Sequence, residues 1–253
     1  MLDRLRSSHA LTYAASALPG GPDARFLILC TPRSGSELLV DLLDQLPQVA
    51  CKGEVLRDQV RWPLRFLRGR ARLSAAKGAK VWGGKALAQH LLWYETSYGS
   101  AASVVRALAD DGWQIVHLRR ENVLASALSA LHAEQSGQFH LRDETTPAAP
   151  GAVDADLAMI LAWVHSFDVH QEWLASLVAD VPHQVVVYES DLCTPEDQQA
   201  VADRLAAALG TPPGPVEARL RPGRPDDLWD RVPDPEGLRE LLRRTRFAHL
   251  ADG

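Results

Sequence analysis

The sequence predicts an α/β domain in which a parallel sheet is covered by helices on both faces. Three apolar segments carry this prediction: FLILC at 26–30, WQIVHL at 113–118 and HQVVVYE at 183–189. Each has the length of a buried strand, and each is followed by a segment with the spacing of a helix. Strands that alternate with helices favour parallel pairing, because the helix returns the chain to the end of the sheet at which the next strand starts.

The other elements are assigned in chain order. Residues 1–24 are interpreted as a leader that ends at the break Pro19-Gly20-Gly21-Pro22. A helix over 36–46 follows the first strand, with its leucines on one face, and a basic stretch over 52–80 comes next. The remaining segments are predicted to be helices at 86–94, 100–110, 122–135, 155–179, from Thr194-Pro195 onward and at 235–249, with a mobile polar loop at 141–156 and a Pro/Arg-rich tail at 211–235.

Composition points to one domain over residues 1–253. The chain is 46% hydrophobic, enough for a sizeable core, and its net charge of −5 argues against general nucleic-acid binding, which favours a basic domain. Three scattered cysteines, an odd number, predict a reducing compartment without a disulfide framework. The N-terminal segment lacks the continuous apolar run of a signal peptide, and no later run has the length of a membrane span. We therefore expect a cytoplasmic protein.

The loop after the first strand carries the most specific chemical signal. It reads TPRSGSE at 31–37, with Arg33 inside the loop and a helix start behind it. Free N–H groups of such a loop, together with the positive end of a helix, suit a phosphate or sulfate group. The loop is not a Walker A motif, because no Gly-Lys-Ser/Thr follows and the cation lies within the loop. The predicted fold is thus a three-layer, P-loop-like parallel sheet whose phosphate site lacks the nucleotide-hydrolysis lysine.

A second anion site is predicted after the strand at 113–118. Arg120 follows this strand, and Ser129 lies nine positions later inside a helix. Arginine offers a planar fork to phosphate oxygens and serine adds a neutral donor, although a serine here can equally be a small helix residue. Because ligands of such sheets bind beyond the carboxyl ends of the strands, Arg33 and Arg120 should converge on one cleft. Two anion sites suit a nucleotide with a 5′ group and a separate 3′-phosphate.

These motifs resemble those of sulfotransferases that use 3′-phosphoadenosine 5′-phosphosulfate. The chain is most similar to the bacterial branch that contains trehalose 2-sulfotransferase and the Nod-factor-type carbohydrate sulfotransferases. The resemblance covers roughly residues 25–192. It rests on TPRSGSELLVDLL (31–43), CKGEVL (51–56), KVWGGK (80–85), VHLRRENVLASALS (116–129), QSGQF (135–139) and VVVYESDL (185–192), with RLRPGRPDDLW (219–229) fitting loosely.

The resemblance implies how the donor is bound. The loop arginine and the loop N–H groups hold the 5′-phosphosulfate, and Arg120 with Ser129 holds the 3′-phosphate. Arg119 is the alternative if the register is displaced by one, and Tyr188 packs against the adenine. The residues implied to bind the donor are Arg33, Ser34, Gly35, Ser36, Glu37, Arg119, Arg120, Ser129, Tyr188 and Arg221. Glu37 departs from the threonine or serine of many relatives, and a carboxylate facing the anion would repel it, so we expect Glu37 to point away.

The resemblance also implies three catalytic residues. Glu54 acts as general base toward the acceptor hydroxyl, Arg33 stabilises charge on the leaving phosphate oxygen, and Lys85 reaches the sulfuryl oxygens. No metal is implied, because arginine and backbone donors take its place. Two alternatives stay open: Glu54 can instead be an ion-pair partner of nearby arginines, and His90 or His132 can serve as the base.

The expected activity is sulfuryl transfer to a hydroxyl of a carbohydrate, another small molecule or a glycolipid. Two other functions remain open, a P-loop-like kinase that requires Mg²⁺ and a non-catalytic nucleotide-binding protein. Relatives suggest a homodimer. If residues 57–72 are helical, the arginines at positions 57, 61, 65, 68 and 72 form one basic stripe. Such a stripe is either a solvated surface or a surface that recruits an anionic or lipid-linked acceptor.

Overall fold

In the computed structural model, which describes residues 2–98, 100–137, 153–219 and 228–252, five parallel strands form one sheet in the order β2-β3-β1-β4-β5. The strands are β1 (Ala24–Cys30), β2 (Val49–Glu54), β3 (Val81–Leu87), β4 (Trp113–Arg119) and β5 (His183–Val187).

Ten α-helices lie in the described parts of the chain. They are α1 (Leu2–Ala15), α2 (Ser36–Asp44), α3 (Pro63–Ala75), α4 (Ala88–Tyr98), α5 (Ala101–Asp110), α6 (Val123–Ser136), α7 (Leu157–Val178), α8 (Tyr188–Asp191), α9 (Pro195–Leu209) and α10 (Pro235–Arg243). Short 3₁₀ helices span Trp229–Arg231 and Ala248–Leu250. None of the helices described here is long and apolar enough to cross a membrane.

The central strand β1 divides the core between the two faces of the sheet. Phe26, Ile28 and Cys30 pack with the apolar residues of α2 and α9 on one face. Leu27 and Leu29 pack with α3, α4, α5 and α7 on the other face, as the alternation of a strand requires. The predicted three-layer arrangement, a parallel sheet between two layers of helices, is therefore confirmed.

The strand order creates a crevice between β1 and β4. The chain leaves β1 toward β2 and β3 on one side, and leaves β4 toward β5 on the other. Adjacent strands whose connections run to opposite sides leave a cleft at their carboxyl ends, where open α/β sheets bind ligands. Arg33 follows β1 and Arg120 follows β4, so the topology brings both to this cleft.

The three predicted strands and most predicted helices are present, but the sequence interpretation missed β2 and β3. The edge strand β2 reads VACKGE and is half exposed, and β3 contains Gly83 and Gly84, which weaken a strand signal. Both glycines are required by packing. A Cβ at Gly83 would lie 2.5 Å from the Phe26 ring, and one at Gly84 would lie 2.4 Å from Val55 and 2.8 Å from the Lys52 carbonyl oxygen.

Several predicted boundaries change. The helix predicted at 86–94 begins only at Ala88, because residues 86 and 87 complete β3, and the last predicted helix ends at Arg243. The predicted leader contains α1, which packs so closely on α3 that a Cβ at Gly69 would lie 1.8 Å from the Thr12 carbonyl oxygen. Residues 141–152 of the predicted mobile loop and residues 220–227 of the predicted tail lie outside the described residues.

The continuous basic stripe does not form. Helix α3 begins at Pro63, so Arg57 and Arg61 precede it and do not share its face. Arg68 forms an ion pair with Asp111, and Arg72 donates from Nε to the Gly20 carbonyl oxygen over 3.0 Å. The spacing of four, four, three and four residues therefore did not correspond to one helix face.

Candidate functional site

The loop between β1 and α2 has the backbone shape of an anion-binding loop. Arg33 has φ 59° and Gly35 has φ 85°, so both adopt the left-handed conformation, which is uncommon for a residue other than glycine. The Ser34 hydroxyl fixes the turn by donating to the Thr31 carbonyl oxygen over 2.8 Å. Gly35 is the N-cap residue of α2 and has no side chain that could cap the helix. The first N–H groups of a helix have no partner within it. These N–H groups can therefore bind an anion.

Gly35 is required for a second reason. A Cβ at this position would lie 2.4 Å from the Tyr188 ring, so any side chain would displace the ring or the loop. Tyr188 begins α8 directly after β5 and is buried. The sequence therefore places a glycine where the loop, in a left-handed conformation, approaches a buried aromatic ring.

The two arginines predicted from separate motifs are in contact. Arg120 donates from Nη1 to the Arg33 carbonyl oxygen over 2.9 Å, and Arg33 donates from Nε to Ser129 Oγ, also over 2.9 Å. The Arg120 guanidinium lies 4.3 Å from the centroid of the Tyr188 ring, and its Nε lies 3.8 Å from a carboxylate oxygen of Glu189. The structure thus brings Arg33, Arg120, Ser129 and Tyr188 together at the carboxyl edge of the sheet.

Neighbouring residues hold Arg120 firmly in this position. The Gln171 side chain accepts from the Arg120 N–H over 2.9 Å and donates to the Arg120 carbonyl oxygen over 2.8 Å. Glu189 accepts from the backbone N–H groups of Glu121 and Asn122, next to the N-terminus of α6. Arg119, the alternative residue, has a half-exposed side chain 3.6 Å from Glu121. Of the two adjacent arginines, Arg120 is the one that contacts the loop.

The electrostatics of the cluster favour an anion. Burial lowers the pKa of Arg33, and the nearby charges of Arg120 and Arg231 lower it further. Burial likewise lowers the pKa of Arg120, although the Tyr188 and Glu189 groups oppose this effect. The Arg120 Nε is buried and makes no hydrogen bond to any residue that the structure describes. Crowded, partly desolvated guanidinium groups gain stability when an anion enters between them.

Arg231 is a charged neighbour of the cluster that sequence reasoning missed. It ends a short 3₁₀ helix in the C-terminal tail, and its charge lowers the pKa of Arg33, Arg120 and His132. Its carbonyl oxygen accepts from the Val153 N–H over 2.8 Å. The arginine-rich tail was the available signal, but it pointed to Arg221, which lies outside the described residues.

Lys85 lies beside the loop on β3. This nearly buried side chain donates from Nζ to a carboxylate oxygen of Glu37 over 2.7 Å and to Ser36 Oγ over 3.2 Å. The two residues at the start of α2 therefore contact the lysine that was predicted to reach the sulfuryl oxygens. An ammonium group has three N–H donors, so two contacts leave one donor for a further acceptor.

Glu54 lies at the same edge. It ends β2, and a shift of the register after Lys52 makes it the partner of Lys85 across the strand pair. One Glu54 carboxylate oxygen lies 3.4 Å from His90 Nε2. The structure therefore brings the predicted base close to the predicted lysine, and both lie beside the loop.

His90 is held in a single tautomer. Its Nδ1 accepts from the Leu87 N–H over 3.2 Å, which requires an unprotonated Nδ1 and places the ring hydrogen on Nε2, toward Glu54. Burial is the main cause that lowers the His90 pKa, so the neutral ring is favoured near pH 7. In this state His90 has no free lone pair facing Glu54. This arrangement favours a role of His90 in orienting the Glu54 carboxylate over a role as the base.

Within the described ranges, His, Cys, Asp and Glu side chains form no group of three that could hold a metal ion. The positive charges at the cleft come instead from arginine and lysine side chains.

Comparisons with known proteins agree with this architecture at the level of the fold. No protein-family model matches the chain, and no curated protein matches it in sequence. Among solved structures, the chain is similar to a sulfotransferase from Alicyclobacillus acidocaldarius, with a TM-score of 0.50 and 14% sequence identity. The match covers 92% of this chain and 96% of that chain.

Proposed function

We propose that this protein is a sulfotransferase that moves a sulfuryl group from 3′-phosphoadenosine 5′-phosphosulfate to a hydroxyl of a carbohydrate, another small molecule or a glycolipid. The observation that carries the proposal is the contact between Arg33, Ser129 and Arg120 beside a loop in an anion-binding conformation. The solved structure of similar fold is a sulfotransferase, which supports the same class. The identity of the sulfuryl donor, 3′-phosphoadenosine 5′-phosphosulfate, is inferred from the sequence motifs.

The donor fits the residues that are present. The two half-buried guanidinium groups supply charge for two anionic groups, and the Arg120 Nε, which forms no hydrogen bond with any described residue and lies 3.8 Å from Glu189, supplies a donor for a phosphate oxygen. The left-handed loop at Arg33 and Gly35 leads into the first turn of α2, whose N–H groups have no partner within the helix and can donate to the phosphosulfate. Arg33 and the loop hold the 5′-phosphosulfate in this proposal, and Arg120 with Ser129 holds the 3′-phosphate.

Transfer then follows an in-line path. The Glu54 carboxylate takes the proton of the acceptor hydroxyl while that oxygen forms a bond to sulfur. The bond between sulfur and the 5′-phosphate oxygen breaks, and its electron pair stays on the phosphate. Arg33 stabilises this leaving oxygen, and the remaining Lys85 donor stabilises the sulfuryl oxygens. His90 keeps the carboxylate oriented through its Nε2–H.

Two further expectations belong to the proposal. A cytoplasmic location is supported by the free thiols of Cys30, Cys51 and Cys193, which suit a reducing compartment.

Burial raises the pKa of the Cys30 thiol to about 11, so this thiol stays protonated and does not act as a nucleophile in the proposed reaction. An acceptor that is anionic or linked to a lipid remains an expectation from the basic sequence near Arg57 and Arg61.

A transfer assay tests the proposal. Purified protein is incubated with the ³⁵S-labelled donor and a panel of sugars, glycolipids and small hydroxyl compounds, and label on the acceptor is measured. Wild type should transfer label without added Mg²⁺, and Glu54→Gln should not, while the exposed-carboxylate variant Glu121→Gln serves as the matched control. Phosphate transfer from Mg-ATP by wild type would instead identify a kinase. Donor binding without any turnover, unchanged in Glu54→Gln, would identify a non-catalytic protein.

A further inference from the structure

A second group of arginines lies at the amino-terminal edge of the sheet, opposite the candidate site. Arg25 is the second residue of β1, and Arg68 and Arg72 are one turn apart on α3. A cavity of about 260 Å³ lies between them. We call it the arginine cavity, and its lining residues are Gly20, Gly21, Pro22, Arg25, Arg68, Ala71 and Arg72. The seven residues of β1, at ~3.3 Å each, separate it by roughly 20 Å from the loop of Arg33.

The arginine cavity carries an excess of positive charge. Asp111 accepts from Arg25 Nη1 over 3.1 Å, from Nε of Arg68 over 2.8 Å and again from Nη2 of Arg68. Its carboxylate also accepts from Trp113 Nε1 over 3.1 Å, so that it makes four hydrogen bonds to described residues. One carboxylate therefore pairs with the guanidinium groups of Arg25 and Arg68, and within the described ranges no ion pair is formed by the third guanidinium group, that of Arg72. The other nearby acid, Asp23, is exposed and does not line the cavity.

Arg72 contributes a donor that is not satisfied. Its Nε donates to the Gly20 carbonyl oxygen over 3.0 Å, which ties α3 to the turn before β1. Its Nη1 is buried and forms no hydrogen bond with any group in the described ranges. A buried, charged donor without an acceptor is costly, because the water it has lost is not replaced. An oxyanion in the cavity can accept from this donor when the Arg72 guanidinium turns toward the cavity that it lines.

We propose that the arginine cavity is a second anion site, which binds a tetrahedral oxyanion of the phosphate or sulfate type, either free or as the head of a small monoester. The volume lies below the ~300–1,000 Å³ of sites for larger ligands, which favours a small ion. Guanidinium groups of Arg25, Arg68 and Arg72 present planar donors that match tetrahedral oxyanions. This site is separate from the proposed transfer site and does not depend on it.

Calorimetric titration with inorganic phosphate tests the proposal. The titrated protein carries Arg33→Ala and Arg120→Ala, so that the candidate site at the other edge no longer binds anions. In this background, Arg72→Gln should weaken phosphate binding about tenfold or more, as expected for the loss of a charged donor. Arg65→Gln is the matched control, because Arg65 lies on the same helix and is exposed but does not line the cavity. Unchanged binding in Arg72→Gln, or an equal loss in Arg65→Gln, would overturn the proposal.

A second measurement uses the wild-type chain. Amide hydrogen exchange over residues 16–26 is followed with phosphate and with chloride at equal ionic strength. Phosphate should slow exchange in this segment in wild type and not in Arg72→Gln, and absence of slowing in wild type would contradict the site. Glycerol 3-phosphate replaces phosphate in a parallel series. Stronger slowing by the ester would identify a monoester head group as the ligand, whereas equal or weaker slowing would identify the free ion.

Discussion

Arg33 donates a hydrogen bond from Nε to Ser129 Oγ over 2.9 Å, although 96 positions separate the two residues in the chain. The first residue belongs to the loop after β1 and the second to α6, the helix after β4. Their contact exists because β1 and β4 are adjacent and parallel, so the segments that leave their carboxyl ends meet. Two motifs that lie far apart in the sequence are therefore in contact at one edge of the sheet.

Ser129→Ala tests this contact directly. The variant removes the acceptor of the Arg33 Nε hydrogen and one donor proposed for the 3′-phosphate. We expect the affinity for 3′-phosphoadenosine 5′-phosphate to fall about tenfold, which corresponds to ~1.4 kcal/mol for a hydrogen bond involving a charged group. Calorimetric titration measures the change. Ser136→Ala is the control, since the Ser136 hydroxyl donates to the carbonyl oxygen of His132 in its own helix; an equal effect of both variants would show that the helix and not the contact is responsible.

Glu54→Gln tests the proposed base. The amide keeps the size of the side chain and removes its ability to take a proton, so kcat should fall by about 10²–10⁴. Nucleotide affinity should stay within about twofold, because Glu54 is not among the residues proposed to bind the donor. Single-turnover transfer and calorimetry provide the two readouts. A variant with full transfer activity would show that the carboxylate is only an ion-pair partner of its neighbours.

His90→Gln separates orientation of Glu54 from base catalysis. His90 contacts the Leu87 N–H and the Glu54 carboxylate, so its loss should misplace the carboxylate without removing it. We expect a moderate fall in kcat, smaller than the ~10²-fold lower bound for loss of a general base, with the acid limb of the pH–rate profile retained. A fall as large as that of Glu54→Gln, accompanied by loss of the acid limb of the profile, would assign the base to His90.

Gly35→Ala tests the close approach of the loop to Tyr188. The substitution imposes a left-handed conformation on alanine and drives its Cβ into the ring, so the free energy of unfolding should fall by more than the ~1–2 kcal/mol of conformational strain alone. Gly210→Ala is a matched control, because Gly210 has φ +66° and no atom within 4 Å of its added Cβ. Urea unfolding of both variants measures the difference. Equal losses of unfolding free energy in the two variants would mean that the Tyr188 ring moves aside and that packing at Gly35 is not critical.

His117 predicts a pH dependence of stability. Burial and the nearby charges of His183 and Arg119 lower its pKa from 6.5 to about 4. Between these values the unfolded chain binds the proton and the folded protein does not, so stability is lost as the pH falls from 6.5 toward 4. The full effect is roughly 3 kcal/mol at ~1.4 kcal/mol per pH unit. His117→Gln should lose less stability between pH 7 and pH 5 than wild type in urea unfolding, and parallel losses would contradict the assignment.

The sequence predicted the parts of the fold whose signal is local. The apolar run of β1 and the loop with Arg33 are continuous in the chain, and strand periodicity with a helix start identifies them. Strands β2 and β3 were missed because packing against residues distant in sequence determines their composition. Gly83 and Gly84 make room for Phe26 and Val55, and no local pattern reveals these contacts. A strand shaped by such packing does not look like a strand in isolation.

At the candidate site, local sequence signals locate two arginines but not the contacts between distant residues. Arg33 and Arg120 each follow a strand, so parallel topology alone brings them to one edge. The tautomer of His90 and the position of Arg231 depend on tertiary contacts with Leu87 and Val153, which the sequence does not encode locally. The helical spacing of Arg57 to Arg72 was misleading, because Pro63 starts the helix in the middle of the series.

Calorimetric titration decides whether the cleft binds a nucleotide with a 3′-phosphate. Wild type and Arg120→Ala are titrated with 3′-phosphoadenosine 5′-phosphate, 5′-AMP and Mg-ATP. We predict that wild type binds the first nucleotide at least about tenfold more tightly than 5′-AMP, and that Arg120→Ala removes this preference. Tighter binding of Mg-ATP, or equal binding of 5′-AMP by both proteins, would contradict the proposed function.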